Sequence, residues 1–177
     1  MENTMSDREF IAVDCAVITV SDTRTPETDT SGALLAERLE TMGHRVSRRE
    51  LIPDDVEALE KLLARYIDDT DIAVVLCTGG TGITGRDITP DVIANLSTRH
   101  IPGFGELFRM LSYRDIGAST IQSRAGAWLC GTTLIFALPG STNACRLAMD
   151  EILVEQLDHR HRPCNFIQLM PRFAEHG

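Results

Sequence analysis

The sequence predicts an α/β fold, a three-layer sandwich built on a mostly parallel sheet. Three observations carry that expectation. Short β-branched apolar runs alternate along the chain with amphipathic helical stretches. The runs are continuously apolar, as suits strands covered on both faces. The strongest of them end in loops rich in Gly, Ser, Thr and Asp, where ligands bind in such sheets.

Taken in order, residues 1–13 read as a loose polar arm, and CAVITVS (15–21) as the first strand. Asp29-Thr30-Ser31 offers N-cap oxygens to a helix over about 31–42, with Leu34, Leu35, Leu39 and Met42 at helical spacing and Gly43 closing it. HRVSRRELI (44–52) predicts a second strand. Pro53-Asp54-Asp55 opens a helix over about 55–68, with Val56, Leu59, Leu62, Leu63 and Tyr66 on one face. IAVVLCTGG (72–80) is the strongest strand and runs into the loop GGTGITGRD. Thr89-Pro90 starts a short helix, and 103–117 reads as another. Residues 118–131 fit neither pattern. TTLIFALPG (132–140) predicts a last strand, and 141–160 a long amphipathic helix capped by Ser141. With no repeat or linker, one domain spans 14–166, and 167–177 is a tail.

Composition narrows the chemistry. The chain has 177 residues and a formal net charge of −9, and sixteen of its seventeen basic residues are arginine. The acidic total argues against nucleic-acid binding through a basic face. Lys61 is the single lysine, so there is no GK[ST] P-loop. Any phosphate must be held by amides, hydroxyls, arginine or a metal. Cys15, Cys77, Cys130, Cys145 and Cys164 are scattered without a CxxC pair, which predicts structural thiols in a reducing compartment. The polar, acidic start is unlike a signal peptide, and no apolar run approaches the roughly 20 residues that span a bilayer. The expectation is a cytoplasmic protein without a membrane partner.

Gly80-Thr81-Gly82-Ile83-Thr84-Gly85 matches GxGxxG, but it follows the third predicted strand, and Arg86-Asp87 precede the next helix. A dinucleotide loop would follow the first strand and open directly into a helix. An anion or pterin cradle is the favoured reading, with a plain turn and a dinucleotide loop as the others. Asp54 and Asp87 each follow a strand end by a few residues. Two carboxylates beside phosphates suit Mg²⁺, while helix capping is their ordinary alternative. His44, His100, His159, His161 and His176 lack metal-ligand spacing, no GxSxG elbow occurs, and Trp128 reads as a core or subunit-interface residue.

The segments SDTRTPETDTSG, LIPDD, TGGTGITGRDITPD, PGFGELFRMLS and LPGSTNACR, in this order, resemble the MoaB/MogA family of molybdenum-cofactor biosynthesis proteins over about residues 14–166. Related domains occur in gephyrin and in the plant molybdenum-insertion protein. TIQSRA, PGSTNACR and RPCNF look more like the MoaB branch. The resemblance implies the molybdopterin-binding fold, Mg²⁺ as cofactor, ATP as co-substrate, and transfer of AMP to molybdopterin with release of pyrophosphate. It implies catalytic and metal-holding roles for Asp54 and Asp87. It implies substrate or nucleotide contacts from Ser21, Asp22, Asp29, Ser31 and Gly32 in the first loop and from Thr78, Gly79, Gly80, Thr81 and Gly82 in the glycine loop. Glu106, Ser123, Pro139, Gly140 and Ser141 would line the same face. It further implies a homo-oligomer, a hexamer ahead of a trimer, and a molybdenum-insertion partner protein. A non-catalytic molybdopterin-binding or scaffold protein of the same pathway is the alternative.

Overall fold

The computed structural model describes residues 8–175. A six-stranded sheet has the order β2-β1-β3-β6-β5-β4, formed by β1 (Asp14–Val20), β2 (Arg45–Ile52), β3 (Ile72–Thr78), β4 (Arg99–His100), β5 (Gly126–Cys130) and β6 (Thr133–Leu138). The four strands β2, β1, β3 and β6 are parallel, whereas β5 and β4 pair antiparallel at the far edge. The mostly parallel sandwich expected from the sequence is therefore the fold.

Alternation along the strands builds two cores. Cys15 and Val17, Val74 and Leu76, and Leu134, Phe136 and Leu138 face one layer, made by α1 (Thr30–Met42), α4 (Pro102–Ile116) and α5 (Thr142–Ala148). Ala16 and Ile18, Val75 and Cys77, and Ile135 and Ala137 face the other, made by α2 (Val56–Asp68) and α3 (Thr89–Leu96). Burial on both faces is why these runs are apolar at nearly every position, the buried Thr19, Thr78 and Thr133 apart.

Residues 118–131 resolve into a 3-10 turn (Gly117–Gln122) followed by β5. The expected helix over 141–160 begins as α5, passes through a π turn (Met149–Leu153) and ends at Gln156. The expected arm and tail are partly packed. Phe10 lies between the His44 ring (5.0 Å) and the Arg160 guanidinium (5.2 Å), and the Val13 amide donates to His44 Nδ1 (3.3 Å). Ile167, on α6 (Phe166–Leu169), reaches the first core, so the packed unit continues past residue 166. Residues 1–7 of the arm and 176–177 of the tail lie outside the described residues.

The connections from β1 and β3 leave toward opposite sides of the sheet, because β2 flanks β1 and β6 flanks β3. That divergence opens a crevice beyond the carboxyl ends of β1 and β3, the usual place for a ligand.

Candidate functional site

A cavity of about 600 Å³ occupies that crevice. Its walls are the ends of β1 and β3, the loops after β1, β2, β3 and β6, and one face of α4 with the 3-10 turn. Backbone bonds stitch the rim: Ser21 N donates to Ile52 O (2.9 Å), and Gly79 N donates to Leu138 O (3.0 Å).

The first turn of the glycine loop needs glycine for a steric reason. Gly79 has φ +104°, and a Cβ there would lie 2.1 Å from Val20 O. Gly82 meets a different demand, since a Cβ would sit 2.7 Å from Asp87 Oδ2. The Thr89 hydroxyl donates to Gly79 O (2.9 Å) and the Thr78 hydroxyl to Pro139 O (2.9 Å), joining the loop to its neighbours.

Both motif aspartates line the cavity. Asp55 takes the capping role, accepting Ala58 N (2.8 Å) at the start of α2, and so leaves Asp54 to the cavity. Asp54 Oδ2 accepts Asp22 N (3.2 Å), while Asp54 N donates to Asp22 Oδ1 (3.0 Å). Burial, and then the charge of Asp87, hold the Asp54 carboxyl above its ordinary range. Burial also opposes ionisation of Asp87, but the Thr84 hydroxyl and the Thr84 and Gly82 amides outweigh it, with help from Arg124, and carry Asp87 below its ordinary range. Thr84 donates twice to Asp87 Oδ2, from its hydroxyl (2.6 Å) and its amide (2.9 Å).

The donor set is all hard oxygen, and glycine at position 82 keeps the space beside Asp87 free of a side chain. Two carboxylates with substrate phosphates and water suit Mg²⁺, which seldom uses an all-protein cage. Among the described residues no group of three His, Cys, Asp or Glu converges as such a cage.

The cavity gathers most of the residues expected there. Ser21, Asp22, Ser31, Thr78, Gly79, Gly80, Thr81, Gly82, Ser123, Pro139, Gly140 and Ser141 all line it with the two aspartates. Three do not. Asp29 is buried behind the wall, where its carboxylate accepts Thr19 Oγ1, Arg49 Nη2 and Gly32 N, each at 2.9 Å. Gly32 belongs to the same knot, since a Cβ there would meet Asp29 Oδ2 at 2.3 Å. Glu106 lies in a separate depression with Arg109, His100 and Trp128. Position in a motif does not reveal which way a helical side chain points.

Further residues line the cavity, and most of them escaped sequence reasoning. Arg24 lines the wall and donates to Gly140 O (2.9 Å) and Thr28 O (3.1 Å), tying the first loop to the last. A lone arginine among Thr and Asp in SDTRTPETDTSG was the available signal. Arg86 ion-pairs with Asp22 at the mouth. Phe108, Ser112 and Ile116 supply the wall from α4, and Ser119, Thr120 and Gln122 come from the stretch that showed no pattern.

The model of the family described as "probable molybdopterin binding domain" matches residues 16–159. Molybdenum cofactor biosynthesis protein B of Escherichia coli K12 is 47% identical over 158 residues, which cover 89% of this chain and 93% of that protein. Among solved structures, a molybdenum cofactor biosynthesis protein B superposes with a TM-score of 0.84 at 39% identity, covering 94% of this chain and 98% of that one. The tungsten cofactor synthesizing protein MoaB of Pyrococcus furiosus superposes with a TM-score of 0.75 at 33% identity, covering 93% of this chain and 98% of that one.

Proposed function

The chain belongs to the family of molybdopterin-binding domains and takes its place in molybdenum cofactor biosynthesis; from that premise we propose that it transfers AMP from ATP to molybdopterin with Mg²⁺ as cofactor. The observation that carries the reading is the placement of Asp54 and Asp87 on separate loops of one glycine-floored cavity. Asp54 meets a backbone amide and the charge of Asp87 there, not a cationic side chain. Such a pair asks for a divalent cation.

A phosphate oxygen of molybdopterin attacks the α-phosphorus of ATP, the new P–O bond forms, and the bond to the bridging oxygen breaks as pyrophosphate leaves. The attacking phosphate is already anionic near neutral pH, so no strong general base is required. Catalysis then rests on positioning and charge neutralisation. Thr78, Thr81 and Ser21 offer hydroxyls along the cavity, and Phe108 and Ile116 offer an apolar wall to a ring. Arg24 holds the first and last loops at a fixed spacing through Gly140 O. Asp54 and Asp87 would hold Mg²⁺, which supplies charge neutralisation on the triphosphate when bound.

The test is incubation with Mg²⁺-ATP and molybdopterin, followed by detection of pyrophosphate and the AMP adduct. Both products are expected. Tight molybdopterin binding with no adduct would select a non-catalytic binding protein instead. The reading includes a homo-oligomer, with a hexamer ahead of a trimer, and a molybdenum-insertion protein as the recipient of the product. Exposed Leu107, Met110, Tyr113 and Ile116, one every third residue of α4, support association. Sedimentation equilibrium reads the number of copies.

A further inference from the structure

The glycine loop leaves the sheet at Gly79 and rejoins regular structure at Thr89. A loop with so many glycines has more backbone freedom than its neighbours, and something must hold it if Asp87 is to keep one place. Its internal bonds are local: Thr84 binds Asp87, and Thr89 N donates to Gly80 O (3.0 Å).

One side chain from outside the loop does more. Arg124 lies between the 3-10 turn and β5, one element past α4 in the chain. Its Nε donates to Gly82 O (2.6 Å), where the loop begins its excursion, and its Nη2 donates to Asp87 O, where the excursion ends. Nη1 takes both carboxylate oxygens of Asp91 (2.8 and 2.9 Å) in the first turn of α3. The Arg124 amide also donates to Thr81 O (2.9 Å). The Arg124 side chain is two-thirds covered, at 34% exposure. Asp91 does not line the cavity and belongs to the outer depression that also holds Glu106.

We propose that Arg124 is the positioning residue of this site: braced by Asp91, its planar fork pins both ends of the 82–87 excursion and so fixes where Asp87 stands in the cavity. The fork matters because three acceptors in different directions must be met at once. A lysine offers charge on one flexible ammonium and cannot span them. Asp91 sets the orientation of the fork from outside, so a residue that touches no substrate acts on the site through Arg124. The kinetic consequence rests on the adenylyl-transfer reading, whereas the consequence for the loop does not.

The variants are Arg124→Lys, Arg124→Ala and Asp91→Asn in the full chain. Backbone-amide hydrogen exchange and steady-state kinetics are the readouts. In Arg124→Lys, the hydrogen-bonded amides of Thr84 and Asp87 exchange about tenfold faster while those of β3 keep their protection, as expected for a local opening. In the same variant kcat falls about tenfold or more, with the KM for molybdopterin changed less than about twofold, since misplacement harms the transition state more than binding. Asp91→Asn moves both readouts in the same direction by about threefold, since it leaves the fork but weakens its brace. Ethylguanidinium added to Arg124→Ala restores part of the loop protection and part of kcat.

Unchanged loop exchange in Arg124→Lys overturns the proposal. So does faster exchange spread evenly over the sheet, which marks Arg124 as a general stabiliser. If the wild-type chain forms no adduct, the reaction reading fails, and loop exchange alone still decides the role of Arg124. Should Arg124→Ala fail to fold, Arg124→Lys and Asp91→Asn carry the same test.

Discussion

Asp29 and Asp54 lie near the same edge of the sheet, on the loops that follow adjacent strands β1 and β2, and they have opposite fates. Asp29 sits at 3% exposure with Thr19, Gly32 and Arg49 all donating to its carboxylate. Its hydrogen-bonding capacity is spent inside the protein, and it holds the start of α1 against the sheet. Asp54, on the cavity wall, receives one amide and faces another carboxylate. What separates these two aspartates is the number of donors that reach each carboxylate and whether it lines the cavity. Residue type and strand-end position are the same.

The sharpest way to break this comparison is to remove the chemical side. Asp87→Ala is expected to lower turnover by about a hundredfold, and by tenfold at the least, while molybdopterin still binds, because an interaction on the reacting groups is lost. Product formation under saturating substrate, beside equilibrium binding, reads the split. Turnover within twofold of wild type in this variant would remove Asp87 from the mechanism.

Next comes the structural side. Asp29→Ala leaves a buried hydroxyl, a helix amide and a guanidinium without their acceptor, which costs about 2–3 kcal/mol of stability. Urea melts measure it. Ligand binding by the fraction that remains folded is expected to persist, since Asp29 does not line the cavity.

A smaller effect distinguishes the two carboxylates by pH. Burial works against ionisation of Asp29, yet bonds from Arg49, Gly32 and Thr19 keep its carboxyl below the ordinary range. A depressed folded value means that the stabilisation is complete above the unfolded value of about 4 and is lost as pH falls through the folded one. The gap between wild type and Asp29→Asn should therefore be flat at neutral pH and narrow below about pH 4. Asp54 has the opposite sign. Its raised value means that folding favours its protonated form, so stability declines as pH rises through that value. Asp54→Asn is then expected to raise the melting temperature slightly at neutral pH without divalent cation, by the equivalent of about half a kcal/mol or less, while abolishing turnover. A lower melting temperature would show that Asp54 is structural after all.

The smallest effect is a control on both. Lys61 pairs with Glu57 on the exposed face of α2 (2.6 Å), four residues away. Lys61→Ala should change stability by less than about 0.5 kcal/mol and turnover not at all.

Legibility in the sequence followed the same physical divide. The inner parallel strands β1, β3 and β6 were readable because burial on both faces leaves a largely apolar signature, as in IAVVLCT. Asp54 and Asp87 were readable because loops after such strands converge. β5 was not, since GAWLC is short and preceded by a 3-10 turn with no period of its own. The placement of Asp29 behind the cavity wall was not readable, because a motif position does not count donors. Arg24 was missed as a cavity residue and Arg124 as a brace of the glycine loop because each acts on a loop distant in the chain, at Gly140 for one and Gly82 for the other.

The cores have a practical consequence for the five cysteines. Cys15, Cys77, Cys130 and Cys145 are buried, and burial pushes the thiols of Cys15 and Cys130 up to about 12 and that of Cys145 to about 11. Cys164 is exposed, on the segment after α5 that runs beside His159 and His161. A maleimide added to the native chain thus meets one fast-reacting sulfur, and the other four become reactive only as the sheet opens. The number of labels per chain is a built-in gauge of unfolding, and the fast site is a ready attachment point for a fluorophore that leaves the cavity untouched.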